Sequence, residues 1–551
     1  TYNSMSLDEK IGQLFVLLKA IPGVNEELIK GTLDQFHQGG LRWQGGDKET
    51  VYLQNTTYQK NSKVPLFVAA NCDDGGIGAV PEGTFVATAA ECGAGEGTEN
   101  AYNLGYVSGK EASAIGCNWM FNPVVDVYKN WRNTIVNTRS FGSEADKVID
   151  NARAYIKGVK AANPNMACTA KHFPGDGVEE LDQHLVMGVN NLSVDEWEES
   201  FGKVYRTLID EGLEAIMVGH IALPEMSRKL VPGIEDKDIK PATLSKELLT
   251  DLLREDMNFN GLVITDASHM VGMSATSKRC DAVPGAIIAG CDMFLFANDI
   301  AEDMAYVRKA YEDGLLTEER LEEAVRRILG MKAHLNLTDE SVIIPDKKEL
   351  DNIGCEAHRE CAKKAADECI TLVKDTYKNL PVNPDEKKRV FLVYVGSTPT
   401  TKGYTGDPVK KVVIEELENA GFEVDVCPSY YDLEVENGVS PMNFVKMLNH
   451  EPRQAFIDTH DFALVVINVK GYAGIPRREL DGLVDYVGRY GAKGLAWIGF
   501  NNDGSLKCQI TKFLGEEKIR EIGKACEAEL GDLILIIADK PKVVAQQNES
   551  D

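Results

Sequence analysis

Eight short apolar runs, separated by helix-length stretches, divide the first 300 or so residues of the chain. They are IGQLFVLL from Ile11, GGLRW from Gly39, PLFVAA from Pro65, NWMFNPVVDV from Asn118, MACTA from Met166, EAIMVGH from Glu214, GLVIT from Gly261 and DMFLFA from Asp292. Several intervening stretches, such as EADKVIDNARAYIKGVKAA from Glu144 and SKELLTDLLREDM from Ser245, repeat apolar residues with the period of an amphipathic helix. Alternating strands and helices make a parallel sheet, and eight such units predict a closed α/β architecture, the (β/α)₈ or TIM barrel. The barrel is expected over residues 1–338.

At 551 residues the chain is too long for one core, so further units are expected. Residues 339–388 read as a linker, Asp339 to Leu350, followed by a helix between Ala362 and Asp375. Residues 389–468 read as a small α/β domain: RVFLVYVG at Arg389, a helix from Pro408 to Ala420, FEVDVC at Phe422 and FALVVINV at Phe462. Residues 469–551 read as an α+β segment with helices at Arg477–Tyr490 and Glu516–Glu529 and strands in GLAWIGF and GDLILIIAD.

The net charge of −27 opposes binding to nucleic acid or an anionic membrane. No run approaches the roughly 18 apolar residues of a membrane span, and the N-terminal TYNSMSLDEKIGQLF has no basic stretch leading into an apolar one. The twelve cysteines are scattered without close CxxC pairs, the pattern of free thiols in a reducing compartment. A cytoplasmic protein is expected, with no metal site and no cofactor.

Several runs end directly in reactive side chains: AANCDDGG from Ala69, KHFPGDG at Lys171, GH at His220 and TDASH around Asp266. Four of the nine histidines, His172, His184, His220 and His269, fall in these segments. In such barrels the C-terminal strand ends carry the active site. A carboxylate ending a buried strand, as Asp266 does, is costly unless paired, hydrogen-bonded or functional, although an aspartate there can also cap a helix. In KHFPGDGVEELDQH, Asp182 stands two residues from His184; in an extended loop the two would share a side, giving an acid/base pair. A merely solvated surface loop is the alternative. Lys171 is also compatible with the Schiff-base lysine of an aldolase-like barrel.

KHFPGDGVEELDQH resembles the signature of the β-N-acetylglucosaminidase branch of glycoside hydrolase family 3. The similarity extends over about residues 5–335 through AANCDDGG, FNPVVDV, NTRSFGS, MVGHIALP and ITDASHM. It implies a retaining β-glycosidase in which Asp266 is the nucleophile, His184 the general acid/base and Asp182 its orienting partner. By the same resemblance Arg139, Lys171 and His172 bind the sugar, and Asp73 grips a sugar hydroxyl, with Asn71 the other candidate for that place. A terminal N-acetyl-β-glucosaminide is the implied small carbohydrate substrate; a β-glucosidase, a glycoside phosphorylase and a non-catalytic sugar-binding protein remain open. Two positions depart from the pattern: Asp176 stands where His is common, and Gln183 replaces Ser or Thr. Residues from about Val469 to Gln546 are similar to the insertion domain of bacterial-type aspartyl-tRNA synthetases, without that enzyme's catalytic motifs. A packing module is expected there.

Overall fold

The computed structural model describes residues 2–19, 24–43, 46–372, 378, 380–396 and 408–426, together with the strands 462–468, 496–500, 506–508 and 533–536. Two compact units divide the chain, Thr1–Leu372 and Val373–Asp551.

The first unit is built on a closed parallel barrel. Its strands in chain order are β1 (Phe15–Lys19), β2 (Gly40–Trp43), β3 (Phe67–Ala70), β4 (Trp119–Met120), β5 (Ala167–Phe173), β6 (Ala215–Val218), β7 (Leu262–Ala267) and β8 (Met293–Leu295). Each pairs with its sequence neighbours, and β1 closes on β8 through Phe15 opposite Phe294. All eight expected runs supply a strand. Helices cover the outer face of the strands and side chains fill the inside, and the seven residues of β5 are accordingly all buried. Inside the barrel Trp119 packs against Phe67 and Phe121, with ring centroids 4.8 and 5.0 Å apart.

Local chemistry sets where the runs become strands. The first run begins in a helix, Leu7–Gln13, because Ser6 and Glu9 form a reciprocal capping box that fixes its start. The fourth run yields only Trp119–Met120. Pro123 lacks an N–H for the ladder, and the Asn122 carboxamide turns to accept from the Cys72 N–H at 2.8 Å. The helix expected from Glu144 is Ala145–Ala162, and that expected from Ser245 forms Glu247–Asp256.

Residues beyond the last barrel helix, Glu318–His334, pack on the barrel through buried polar ties. His358 Nδ1 lies 2.6 Å from Glu111 Oε1, and Asn100 donates to Glu368 at 2.9 Å. The helix expected between Ala362 and Asp375 is Glu356–Cys369, and the expected linker holds two short helices, Glu340–Ile343 and Lys347–Asn352.

In the second unit Arg389–Gly396 pairs in parallel with Glu423–Val426 and Phe462–Asn468, with the helix Pro408–Asn419 joining the first two strands. Ala496–Phe500 pairs antiparallel with Leu506–Cys508 and Leu533–Ile536. The helices expected at Arg477–Tyr490 and Glu516–Glu529 lie outside the described residues.

Cys72, Cys92, Cys117, Cys168 and Cys291 are buried free thiols, and burial pushes Cys92, Cys117 and Cys168 up to about 12. Among the described residues no helix is long and apolar enough to cross a membrane.

Candidate active site

The C-terminal ends of the barrel strands surround a cavity of about 220 Å³. Asp266, Lys171, His172, Arg139 and His184 all line it. Residues spread over 128 positions of sequence, from 139 to 266 inclusive, are thereby brought to one place.

Asp266 ends β7. Its Oδ1 accepts the Ala267 N–H at 2.6 Å, and its Oδ2 stands 4.0 Å from His172 Nε2. Burial alone would raise this carboxyl, but His172, His220, the Ala267 N–H and Lys171 outweigh it and hold Asp266 below the ordinary carboxylate range. The shift favours the carboxylate form of a residue that lines the cavity. His220, fully buried, supports the same strand: its Nε2 lies 3.0 Å from the Ala267 carbonyl and its Nδ1 2.9 Å from Thr243 Oγ1. Burial pushes His220 below the usual histidine value.

Beside the cavity, Asp73 joins two of the expected sugar-binding cations. Arg139 Nε donates to its Oδ2 at 3.1 Å, Lys171 Nζ lies 3.3 Å from its Oδ1, and Asn122 donates to the same oxygen. Burial would raise Asp73, yet Lys171 and Arg139 hold it well below the ordinary range. Lys171, whose side chain is 1% exposed, is thus ion-paired rather than enclosed in an apolar pocket. Of the two candidates for the hydroxyl-gripping position, Asn71 lines the cavity, with a buried Oδ1 that has no hydrogen-bond partner in the structure.

Asp182 and His184 meet as expected from their spacing, but through a different backbone. The loop is a turn rather than an extended strand: Asp182 Oδ1 accepts both the His184 N–H at 2.8 Å and His184 Nδ1 at 2.7 Å. An aspartate bonding to the backbone two residues on is the stable local alternative to extension. It leaves His184 Nε2 free to face the cavity that the residue lines. The loop enters through Gly175 and Gly177, with φ of 125° and 103°, which favour glycine. A Cβ on Gly175 would come within 2.1 Å of the Phe201 ring.

Three further residues shape the site without having been singled out as site residues in the sequence. Asp126, fully buried, accepts from His172 Nδ1 at 2.8 Å and from the His172 N–H at 3.1 Å. Its signal was a carboxylate inside the apolar run NPVVDV. Arg42 lines the cavity from β2, its guanidinium 5.9 Å from the Phe296 ring centroid. Gln183, between the members of the Asp182/His184 pair, is 1% exposed.

Asp266 and the oriented imidazole of His184 share one cavity at the mouth of a (β/α)₈ barrel, the place where enzymes of this architecture carry their active sites. Residues 6–331 match the glycosyl hydrolase family 3 N-terminal domain, and the chain belongs to that family. A β-N-acetylglucosaminidase/β-glucosidase of Cellulomonas fimi is 41% identical over 428 residues, 77% of this chain and 74% of the relative. β-Hexosaminidase A of Pseudoalteromonas piscicida is 28% identical over 342 residues, 59% of this chain and 56% of that protein. Among solved structures, a β-glucoside phosphorylase, BglX, bound to 2FGlc is 36% identical with a TM-score of 0.72, covering 82% of this chain and 79% of its own. Residues 463–547 match the GAD domain.

Proposed function

We propose that the protein is a retaining β-glycosidase that removes terminal N-acetyl-β-D-glucosaminides through a glycosyl–aspartate intermediate. The observation that carries this reading is the shared cavity of Asp266 and the Asp182/His184 pair. Asp266 attacks the anomeric carbon. His184 Nε2 protonates the departing oxygen and then takes the proton of the incoming water. Asp182, bonded to Nδ1, fixes the ring orientation and stabilises the imidazolium from which the first step starts and which the second regenerates. Arg139, Lys171 and His172 hold sugar hydroxyls, with Asn71 in place to accept one more. A retaining enzyme ordinarily pairs two carboxylates; here a histidine held by a carboxylate takes the second role, the side chain that general acid–base catalysis uses most often.

The Cellulomonas fimi relative, named for both β-N-acetylglucosaminidase and β-glucosidase, and the Pseudoalteromonas piscicida β-hexosaminidase support an amino-sugar glycone, N-acetylglucosamine. A second reading is phosphorolysis, in which phosphate replaces water. The 36% identical β-glucoside phosphorylase favours it, as does an acid/base that, once it has given up its proton, is neutral and repels an anion less than a carboxylate would. The reading extends to a cytoplasmic protein that binds neither nucleic acid nor membrane, consistent with the charge of −27. It retains the four-part division at 338, 388 and 468, with residues 469–551 as a packing module without chemistry.

A panel of aryl β-glycosides, run with and without phosphate, tests these statements together. The N-acetylglucosaminide is expected to show the higher kcat/KM. Equal or reversed preference for the glucoside removes the acetamido assignment and leaves the glycosidase class standing. Formation of a sugar 1-phosphate in place of free sugar selects the phosphorylase.

A further inference from the structure

The buried glutamine inside the exposed loop has two polar ends, and both are engaged. Gln183 Nε2 donates to Asp176 Oδ2 at 3.1 Å, and Gln183 Oε1 accepts the His220 N–H at 2.9 Å. The main chain adds a third and a fourth tie: the Gly272 N–H donates to the Gln183 carbonyl at 3.1 Å and the Val271 N–H to the His184 carbonyl at 3.0 Å. The tip of the loop is thus bound to the end of β5, the end of β6 and the segment following β7. Its neighbours in sequence are far more open, with the Asp182 and His184 side chains 23% and 51% exposed.

Asp176 is itself firmly placed. Its N–H donates to Asp126 Oδ1 at 2.8 Å, and its Oδ1 accepts from Asn133 Nδ2 at 2.7 Å and from the Gly177 N–H at 2.6 Å. Asp126 is the residue that orients His172, so one hydrogen-bonded chain runs from His172, beside Asp266, to the acid/base loop. The two positions at which the KHFPGDGVEELDQH segment departs from its family pattern, Asp176 and Gln183, are bonded directly to each other. A Ser or Thr hydroxyl at position 183 would end two bonds short of the glutamine amide and would have to serve both partners with one oxygen.

We propose that Gln183 is a positioning residue for the reaction: its amide, latched to Asp176 and to the His220 N–H, fixes the turn so that His184 faces Asp266 across the cavity. This rests on the reading of Asp182 and His184 as the acid/base pair. Gln183 lines the cavity, but both ends of its amide are committed to Asp176 and the His220 N–H, so that it acts through His184. Losing the amide frees the turn and leaves the imidazole poorly aimed, a misplacement worth about 100-fold in rate when it approaches 1 Å.

The test compares Gln183→Met, which keeps the length of the side chain, with Gln183→Ala, and follows the melting temperature of each to confirm folding. For a glycoside whose leaving group needs a proton, kcat/KM is expected to fall by about 100-fold, and for a dinitrophenyl glycoside by no more than about fivefold. Asp176→Ala is expected to reproduce that bias. In a His184→Ala background, Gln183→Met is expected to add less than about a twofold further loss, since the group it positions is gone. Equal losses on both leaving groups, or an undiminished effect in the His184→Ala background, would overturn the proposal. If His184→Ala shows leaving-group dependence and folded Gln183→Met does not, the positioning role alone fails. If His184→Ala shows none, the acid/base reading fails and this proposal with it.

Discussion

Asp126 grips His172 twice, through the ring Nδ1 at 2.8 Å and through the backbone N–H at 3.1 Å. The Nδ1–H is thereby committed to the carboxylate, and Nε2 is turned toward Asp266, 4.0 Å away. Asp126→Asn keeps the shape but puts an amide N–H donor opposite Nδ1, which inverts the tautomer and with it the face that Nε2 offers to a sugar hydroxyl. The expected cost is that of a charged hydrogen bond, about 1.5–3 kcal/mol, or roughly 10- to 150-fold in kcat/KM with little change in melting temperature. Steady-state kinetics on the aryl glycoside decide it; activity equal to wild type would mean that His172 Nε2 does not touch the substrate.

Asp73 stands between two cations, and its removal is expected to affect stability before chemistry. Asp73→Ala leaves the buried Lys171 and the partly buried Arg139 without their shared counter-ion, a loss of about 1–3 kcal/mol. The pH dependence follows from the sign of the shift. The folded-state pKa lies below the unfolded one, so the contribution is fully present above the unfolded value of about 4 and is lost as pH falls below it. Urea unfolding between pH 3 and 7 is expected to show wild type losing stability with acid more steeply than Asp73→Ala. Parallel curves would remove Asp73 from the acid-sensitive set.

Lys332 gives the opposite case at the other end of the pH scale. Its Nζ is buried, 2.7 Å from Gln13 Oε1 and 5.1 Å from the Phe67 ring centroid, and burial lowers the lysine to about 7. Between about pH 7 and the unfolded value of about 10.4 the unfolded chain binds more protons than the folded one, so this group makes stability rise with pH. Its cost is complete below about 7 and fades above it. Lys332→Met removes that slope while leaving Gln13 Oε1 without this donor, a penalty that does not change with pH. The difference in unfolding free energy, wild type minus variant, is therefore expected to grow from pH 7 to pH 10; a flat difference would show that Lys332 remains charged in the fold.

The barrel was legible because each strand is a short apolar run flanked by helix-length segments, a pattern set by burial on both faces. Lys171 and Asp266 were legible because each follows its run directly in sequence, and their common cavity depends only on all strands pointing the same way. What the pattern could not carry was juxtaposition between loops. Asp126 reaches His172 from 46 residues away, and Gln183 reaches His220 from 37. Nor does spacing decide how Asn71 and Asp73 divide: Asn71 lines the cavity with an unpartnered oxygen, whereas Asp73 is bonded to Arg139 and Lys171. An extended loop would also put Asp182 and His184 on one side, but the Asp182 side chain bends it into a turn by bonding to the His184 N–H, a local competition that residue types alone leave open.

The division of labour between His184 and Asp266 leads to distinct kinetic signatures. His184→Ala removes the proton donor of the first step and the base of the second. Substrates with good phenol leaving groups need little protonation, so they are expected to form the glycosyl intermediate readily and then hydrolyse it slowly, giving a burst of phenol. Poor leaving groups are expected to lose about 10²- to 10⁴-fold, the usual contribution of a general acid. Azide needs no base, so it is expected to restore turnover of the variant on the activated substrate and to yield a β-glycosyl azide, with the configuration retained by two inversions. Asp266→Asn is expected to fail on every substrate and to be insensitive to azide as a second-step nucleophile, because no intermediate forms. A uniform loss in His184→Ala across leaving groups, with neither burst nor azide product, would place the proton donor elsewhere and reduce the Asp182/His184 pair to a device that shapes the loop.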